Sequence, residues 1–127
     1  MKAVYPVIMK KTKEGYYVNI PDFQTGTQGI DLADAMYMAR DAIGIMGIDL
    51  EDEGMKPPQP GTEKCEIEED EFEVLIDVDF WKYRRESDSR AIRKNCTIPY
   101  WLSVEADKVH INYSKVLKEA LIEELNL

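Results

Sequence analysis

The chain holds a single histidine, His110, and only two cysteines, Cys65 and Cys96, among its 127 residues. The cysteines lie far apart, in different inferred domains, with no Cys-x-x-Cys spacing, so no disulfide is expected. A lone histidine with no Cys, Ser or carboxylate motif beside it reads as structural. Its place near the end of a helix is one where a cation favours the helix dipole. No apolar run approaches the roughly 20 residues that cross a bilayer. Met1-Lys2-Ala3-Val4-Tyr5 begins as strand-like sequence rather than as a signal peptide, so a cytoplasmic protein with no membrane partner is expected. No internal repeat is visible.

What is present fits one ordinary domain or two small ones: 44% hydrophobic and 32% charged residues can build a real core and a solvated surface. The formal net charge of −9 disfavours nucleic-acid binding if averaged over the molecule, but its distribution is uneven. Residues 1–80 carry 7 Lys/Arg against 18 Asp/Glu, a balance of −11, and residues 81–127 carry 9 against 7, a balance of +2. Lys82, Arg84, Arg85, Arg90, Arg93 and Lys94 face only Glu86 and Asp88, a local +4. Such a basic collar on an acidic protein suits a phosphate backbone on one side and a basic partner on the other.

Residues 2–10 and 16–20 are β-rich and are joined by a polar link ending in Gly15, a hairpin signal. A short third strand is expected around Thr27 to Gly29. Asp31 reads as a helix N-cap with Asp34 approximating a capping box. Leu32, Ala35, Met36, Ala39, Ala42, Ile43 and Met46 then hold helical spacing. The loop from Glu51 to Gly61, with Pro57-Pro58-Gln59-Pro60, precedes an apolar strand over 72–78. This β-β-β-α-β order predicts an antiparallel meander with a helix on one face and a fourth strand added by a crossover. Residues 81–91 are polar and basic and read as a connector with a short helical turn.

The last third is one short strand, a proline, and two helical stretches. Alternation over Arg93–Ile98 sets Cys96 and Ile98 on one face and Arg93, Asn95 and Thr97 on the other. Pro99 stops the strand and suits a first helical turn. Leu102, Ala106 and Val109 line the first helix; Val116, Leu117, Ala120, Leu121 and Leu125 line the second, with Asn112 as its N-cap. That order is the signature of a ribbon-helix-helix module, in which two copies pair their strands into a ribbon able to enter the major groove. A homodimer, or a tetramer built from it, bound to operator DNA is therefore expected. Arg93, Asn95 and Thr97 would reach base edges, since Arg reads guanine, Asn reads adenine and a Thr methyl touches thymine. Arg84, Arg85 and the second-helix start, Asn112, Tyr113 and Ser114, would hold phosphates. The plain alternatives are a solvated strand face and an ordinary helix cap.

On these residues the chain resembles the HicB family, the antitoxin half of the HicA–HicB toxin–antitoxin pair. The likeness rests on Tyr17-Val18-Asn19-Ile20-Pro21-Asp22-Phe23, the Gln28-Gly29 step, Leu32-Ala33-Asp34-Ala35 continuing through Ala39-Arg40-Asp41-Ala42, and the proline loop. In the last third it rests on Arg93–Pro99, Trp101-Leu102 and Ile111-Asn112-Tyr113-Ser114 leading into Leu117 and Ala120-Leu121. The resemblance implies an α+β fold: a partial ribonuclease-H-like domain over 1–80 that has lost catalysis, the connector over 81–91, and a ribbon-helix-helix domain over 92–127. It implies a protein that binds a small basic HicA-type ribonuclease toxin and represses its own operon, with no enzymatic activity, catalytic residue, metal or cofactor of its own.

Asp77 and Asp79 share one strand face at i, i+2, and with Asp22 could in principle hold two Mg²⁺ ions on a ribonuclease-H-like sheet. A metal-dependent nuclease is therefore the alternative reading, supported by fold analogy alone. A solitary ribbon-helix-helix regulator without a toxin is a third. The acidic segment Glu66 to Glu73 is a solvated loop and edge in the plain reading and a toxin-facing surface in the sharper one. The toxin-contacting residues are not otherwise defined by the sequence.

Overall fold

The link ending in Gly15 turns β1 (Lys2–Thr12) back onto β2 (Gly15–Ile20) in a computed structural model that describes residues 1–127. Gly15 sits at φ +147°, and a Cβ there would fall 2.1 Å from the carbonyl oxygen of Gly29, so only glycine lets β3 pass this close. A single 3-10 turn, Pro21–Phe23, leads into β3 (Thr25–Gly29). Asp31 then caps α1 (Leu32–Asp52), accepting from the Asp34 N–H at 2.7 Å. The Asp34 carboxylate reaches back to the N–H of Ile30 at 2.9 Å, a capping box shifted by one residue.

After the crossover, β4 (Glu71–Asp79) pairs antiparallel with β1, giving a four-stranded antiparallel sheet in the order β3-β2-β1-β4. Alternation sends Tyr5, Val7, Met9, Val18, Ile20, Ile76 and Val78 to one face, where Ala35, Ala39 and Ile43 of α1 cover them. Each fully buried Val or Ile contributes roughly 1.5–3 kcal/mol. The helix outruns the stripe expected to end at Met46, because Gly47 and Ile48 continue its buried side.

Residues Phe80–Ser87 form α2, a two-turn helix, where the sequence reads as a connector. Its anchor is a notch in α1. A Cβ on Gly44 would meet the Tyr83 ring at 2.6 Å, and one on Gly47 would meet the Phe80 ring at 2.1 Å. Phe80 is buried and packs edge-on to Tyr5 at 6.3 Å between centroids. The first compact unit runs from Met1 to Arg90 and includes α2.

The long loop between α1 and β4 is tied to this unit from beneath. Asp22, the one buried charged residue, accepts from the N–H groups of Gly61 (2.9 Å) and Glu63 (3.0 Å) and from the Thr62 hydroxyl (3.3 Å). The buried Tyr5 hydroxyl donates to the Pro58 carbonyl at 2.7 Å.

The second unit, Ala91–Leu127, holds α3 (Tyr100–Lys108) and α4 (Tyr113–Glu124). Between them His110, just past the C-cap Val109 and so near the end of the first helix as expected, adopts φ 55°, a left-handed turn conformation. Residues 88–99 carry no regular structure, so the strand expected at Arg93–Ile98 is not formed in one copy. A strand exists through its ladder, and a single chain offers this segment no neighbour. No residue of α3 or α4 is buried.

Candidate functional site

The three carboxylates that could serve a nuclease are each committed elsewhere. Asp22 clamps the loop at Gly61 to Glu63. Asp79 caps α2 by accepting from the Lys82 N–H at 3.2 Å. Asp77 pairs with Arg40 of α1, whose Nη2 lies 2.9 Å from its carboxylate and whose Nε donates to its backbone carbonyl at 2.9 Å. The guanidinium holds the Asp77 carboxyl below the usual carboxylate range. No group of three His, Cys, Asp or Glu side chains converges on a point where a metal could sit. Arg40 is the residue the sequence reading missed. Its signal was present, as the one cation in a helix carrying five carboxylates.

An open groove of about 610 Å³ lies beside this pair, lined by residues that include Lys2, Val4, Arg40, Asp77, Lys82 and Glu86. Both signs of charge line it.

Two members of the basic collar, Arg84 and Arg90, are neutralised within the first unit. Arg84 meets Asp52 at 2.9 Å and Glu51 at 3.3 Å and donates to the Ile48 carbonyl at 3.2 Å. Arg90 contacts Asp88 at 2.6 Å and Asp52 at 2.9 Å. Arg90 above all, with help from Arg84, pushes the Asp52 and Asp88 carboxyls down. Arg84, expected at a phosphate, is thus engaged by protein carboxylates; acids at the end of α1, distant in sequence, reached it first. Arg85 differs: it lies over the Trp81 ring at 5.4 Å and forms no ion pair.

In the second unit Arg93, Asn95 and Thr97 are exposed on the segment before α3, and Cys96 is exposed as well. The Asn112 side chain caps α4, accepting from the Lys115 N–H at 3.0 Å. Its oxygen is therefore occupied, whereas the Tyr113 and Ser114 N–H groups open the helix with no carbonyl behind them. The Tyr113 hydroxyl bonds Asp107, which raises its pKa. Tyr100 (85% exposed), Trp101 (67%), Val109 (68%) and Leu125 (62%) stand in solvent together with Leu102, Val116, Leu117 and Leu121. That much uncovered apolar surface on so small a unit marks an interaction face.

The exposed side of the first unit's sheet is acidic toward one edge. On β4 the residues facing away from α1 are Glu71, Glu73, Leu75 and Asp77. Lys10 on β1 meets Asp70 at 3.1 Å just before them. No helix is long and apolar enough to cross a membrane.

No family model and no curated protein matches the chain. Among solved structures it is similar along its length to a chain of a toxin–antitoxin complex from Streptococcus pneumoniae, at 23% identity and a TM-score of 0.57, with 98% of this chain and 99% of that one covered. It is similar also to antitoxin HicB3, at 24% identity and a TM-score of 0.54, with 96% and 97% covered. The antitoxin HicB of Burkholderia pseudomallei aligns at 21% identity and a TM-score of 0.49, with 97% and 98% covered. At these identities the likeness is one of fold, a mixed architecture of a four-stranded antiparallel sheet and four helices.

Proposed function

We propose that this chain is a cytoplasmic antitoxin of the HicB type, with no catalysis of its own. Its first unit, a partial ribonuclease-H-like domain, binds and neutralises a small basic HicA-type ribonuclease. Its second unit pairs with that of another copy as a ribbon-helix-helix module, alone or within a tetramer, and represses the operon. The observation that carries this reading is the end-to-end likeness in fold to the toxin–antitoxin chain from Streptococcus pneumoniae, both units included.

Two features of the chain support it independently. The first unit is strongly acidic, and complementary fields steer a basic partner to it. The second unit has no buried residue in either helix, so it gains a core only from a partner surface. In the paired module, Arg93, Asn95 and Thr97 read bases, and Arg85 and the N-terminus of α4 at Asn112 to Ser114 hold phosphates. Arg84 is dropped from that set because its guanidinium is held by Glu51 and Asp52.

The test is co-purification with the product of the adjoining reading frame, followed by an RNA-cleavage assay of that product with and without this chain. Stoichiometric suppression of cleavage is expected. No interaction at low salt would overturn the antitoxin assignment, and Mg²⁺-dependent RNA cleavage by this chain alone, lost in Asp77→Asn, would replace it with the nuclease reading.

A further inference from the structure

β4 is an outer strand of the sheet, and the hydrogen bonds around it define how much of its free side is open. In an antiparallel pair successive residues alternate between bonding to the neighbour and turning their N–H and C=O to the other side. The Phe80 N–H bonds the Met1 carbonyl at 3.0 Å, which directs the even-numbered residues of this stretch toward β1. Glu71, Glu73, Leu75 and Asp77 therefore turn their backbone groups to the free edge.

That edge is sealed at both ends. The Glu71 N–H bonds the Glu68 carbonyl at 3.1 Å, and the Asp77 carbonyl accepts from Arg40 Nε at 2.9 Å. Between the seals, the N–H and C=O of Glu73 and of Leu75 face outward with no partner. Leu75 is 62% exposed, whereas Ile76 and Val78 beside it are buried in the core. Long exposed edges are commonly blunted by proline, lysine or a bulge, and this one carries none of them.

The side chains decide what can pair here. Antiparallel pairing with a second copy about Leu75 would set Glu73 opposite the other copy's Asp77, and in-register parallel pairing would set Glu73 beside Glu73. Like charges facing each other across strands are destabilising, so the edge repels its own kind. An extended segment with Lys or Arg opposite Glu73 and an apolar residue opposite Leu75 matches the open stretch, while Asp77 is already held by Arg40.

We propose that the β4 edge is where the first unit captures a basic partner protein, taking one extended segment of it as a fifth strand. Main-chain bonds to Glu73 and Leu75 supply the attachment, and the Glu73 carboxylate beside the exposed Leu75 selects the partner. The proposal rests on the antitoxin reading only for the partner's identity.

The test uses the full chain and the purified basic protein of the adjoining reading frame. Leu75→Pro removes an N–H that the β1 ladder does not use, so the sheet is retained while the edge is blocked. Glu73→Lys reverses the charge without touching the backbone, and serves if the proline variant fails to fold. Each is expected to weaken binding about tenfold or more. Ile45→Glu, on the exposed side of α1, should leave binding unchanged. Amide exchange at Glu73 and Leu75 should slow on complex formation. Binding that withstands Leu75→Pro and Glu73→Lys, with no added protection on β4, would overturn the edge assignment and leave the antitoxin reading standing. Failure of the wild-type chain to bind at all would remove both.

Discussion

Replacing Asp22 by alanine tests whether this carboxylate is a structural clamp rather than a metal ligand. Asp22 accepts three hydrogen bonds from consecutive residues of the α1–β4 loop, at 2.9, 3.0 and 3.3 Å, from a side chain only 6% exposed. A hydrogen bond to a charged acceptor is worth about 1.5–3 kcal/mol, yet the three act as one unit and the donors of an exposed loop regain water when released. The net loss should be about 2–4 kcal/mol. For a unit of this size each kcal/mol lowers Tm by about 4–8 °C, so Asp22→Ala should melt about 8–32 °C early. Asp22→Asn should fare no better, because its amide NH₂ would confront one of the N–H donors. Limited trypsin digestion at Lys64 supplies the local readout, and cleavage there should accelerate in both variants. A Tm shift under about 2 °C with unchanged cleavage would refute the clamp. So would Mg²⁺ raising the Tm of the wild type and not of Asp22→Ala, since the carboxylate would then be serving an ion.

Arg84→Ala should destabilise the first unit by about 1–2 kcal/mol in thermal melts and leave the salt slope of DNA binding unchanged, whereas Arg85→Ala should reduce that slope with little change in Tm. Arg93→Ala and Asn95→Ala should each cost about 1–3 kcal/mol on the operator in gel-shift titrations without loss of fold, while Ile98→Asp should abolish the paired module. Gly47→Ala should destabilise by about 1–3 kcal/mol in denaturant titrations, because its methyl group would strike the Phe80 ring, which has no exposed side to swing toward. Burial raises the hydroxyls of Tyr5 and Tyr83 to about 12, the Tyr5 shift being aided by Asp22 and the Tyr83 shift by Asp41. Both pKa values are raised above the unfolded value of about 10, so their contribution is full below pH 10 and is lost as pH rises from 10 through 12. Tyr83→Phe should flatten that alkaline loss in melts taken across the range.

The elements with strong periodicity were legible in the sequence. The β1–β2 hairpin, the stripe from Leu32 to Met46 and the apolar run in β4 each bury a face whose spacing is visible locally. Of α2 only a short helical turn was legible, because Phe-Trp-Lys-Tyr-Arg-Arg-Glu-Ser carries one buried residue, and what holds it is a pair of missing methyl groups on α1. The Asp22 clamp was hidden for a related reason: two of its three donors are backbone N–H groups about forty residues downstream, which no side-chain pattern announces. The carboxylate partners of Arg84 were not legible because a basic run looks the same whether it faces phosphate or the end of an acidic helix. The strand expected at Arg93–Ile98 is not formed in one copy, and on the proposed reading it pairs with that of a second chain.

The absence of any buried residue in α3 and α4 has a kinetic and quantitative consequence. A module whose interior is assembled from two copies folds in a second-order step, so the concentration of folded dimer climbs with the square of chain concentration when chains are scarce. On the proposed reading, repression would then switch on over a narrow range of expression instead of rising in proportion to it. Below that range, the unpaired tail would expose its backbone to proteases and shorten the lifetime of the same chains whose scarcity left them single.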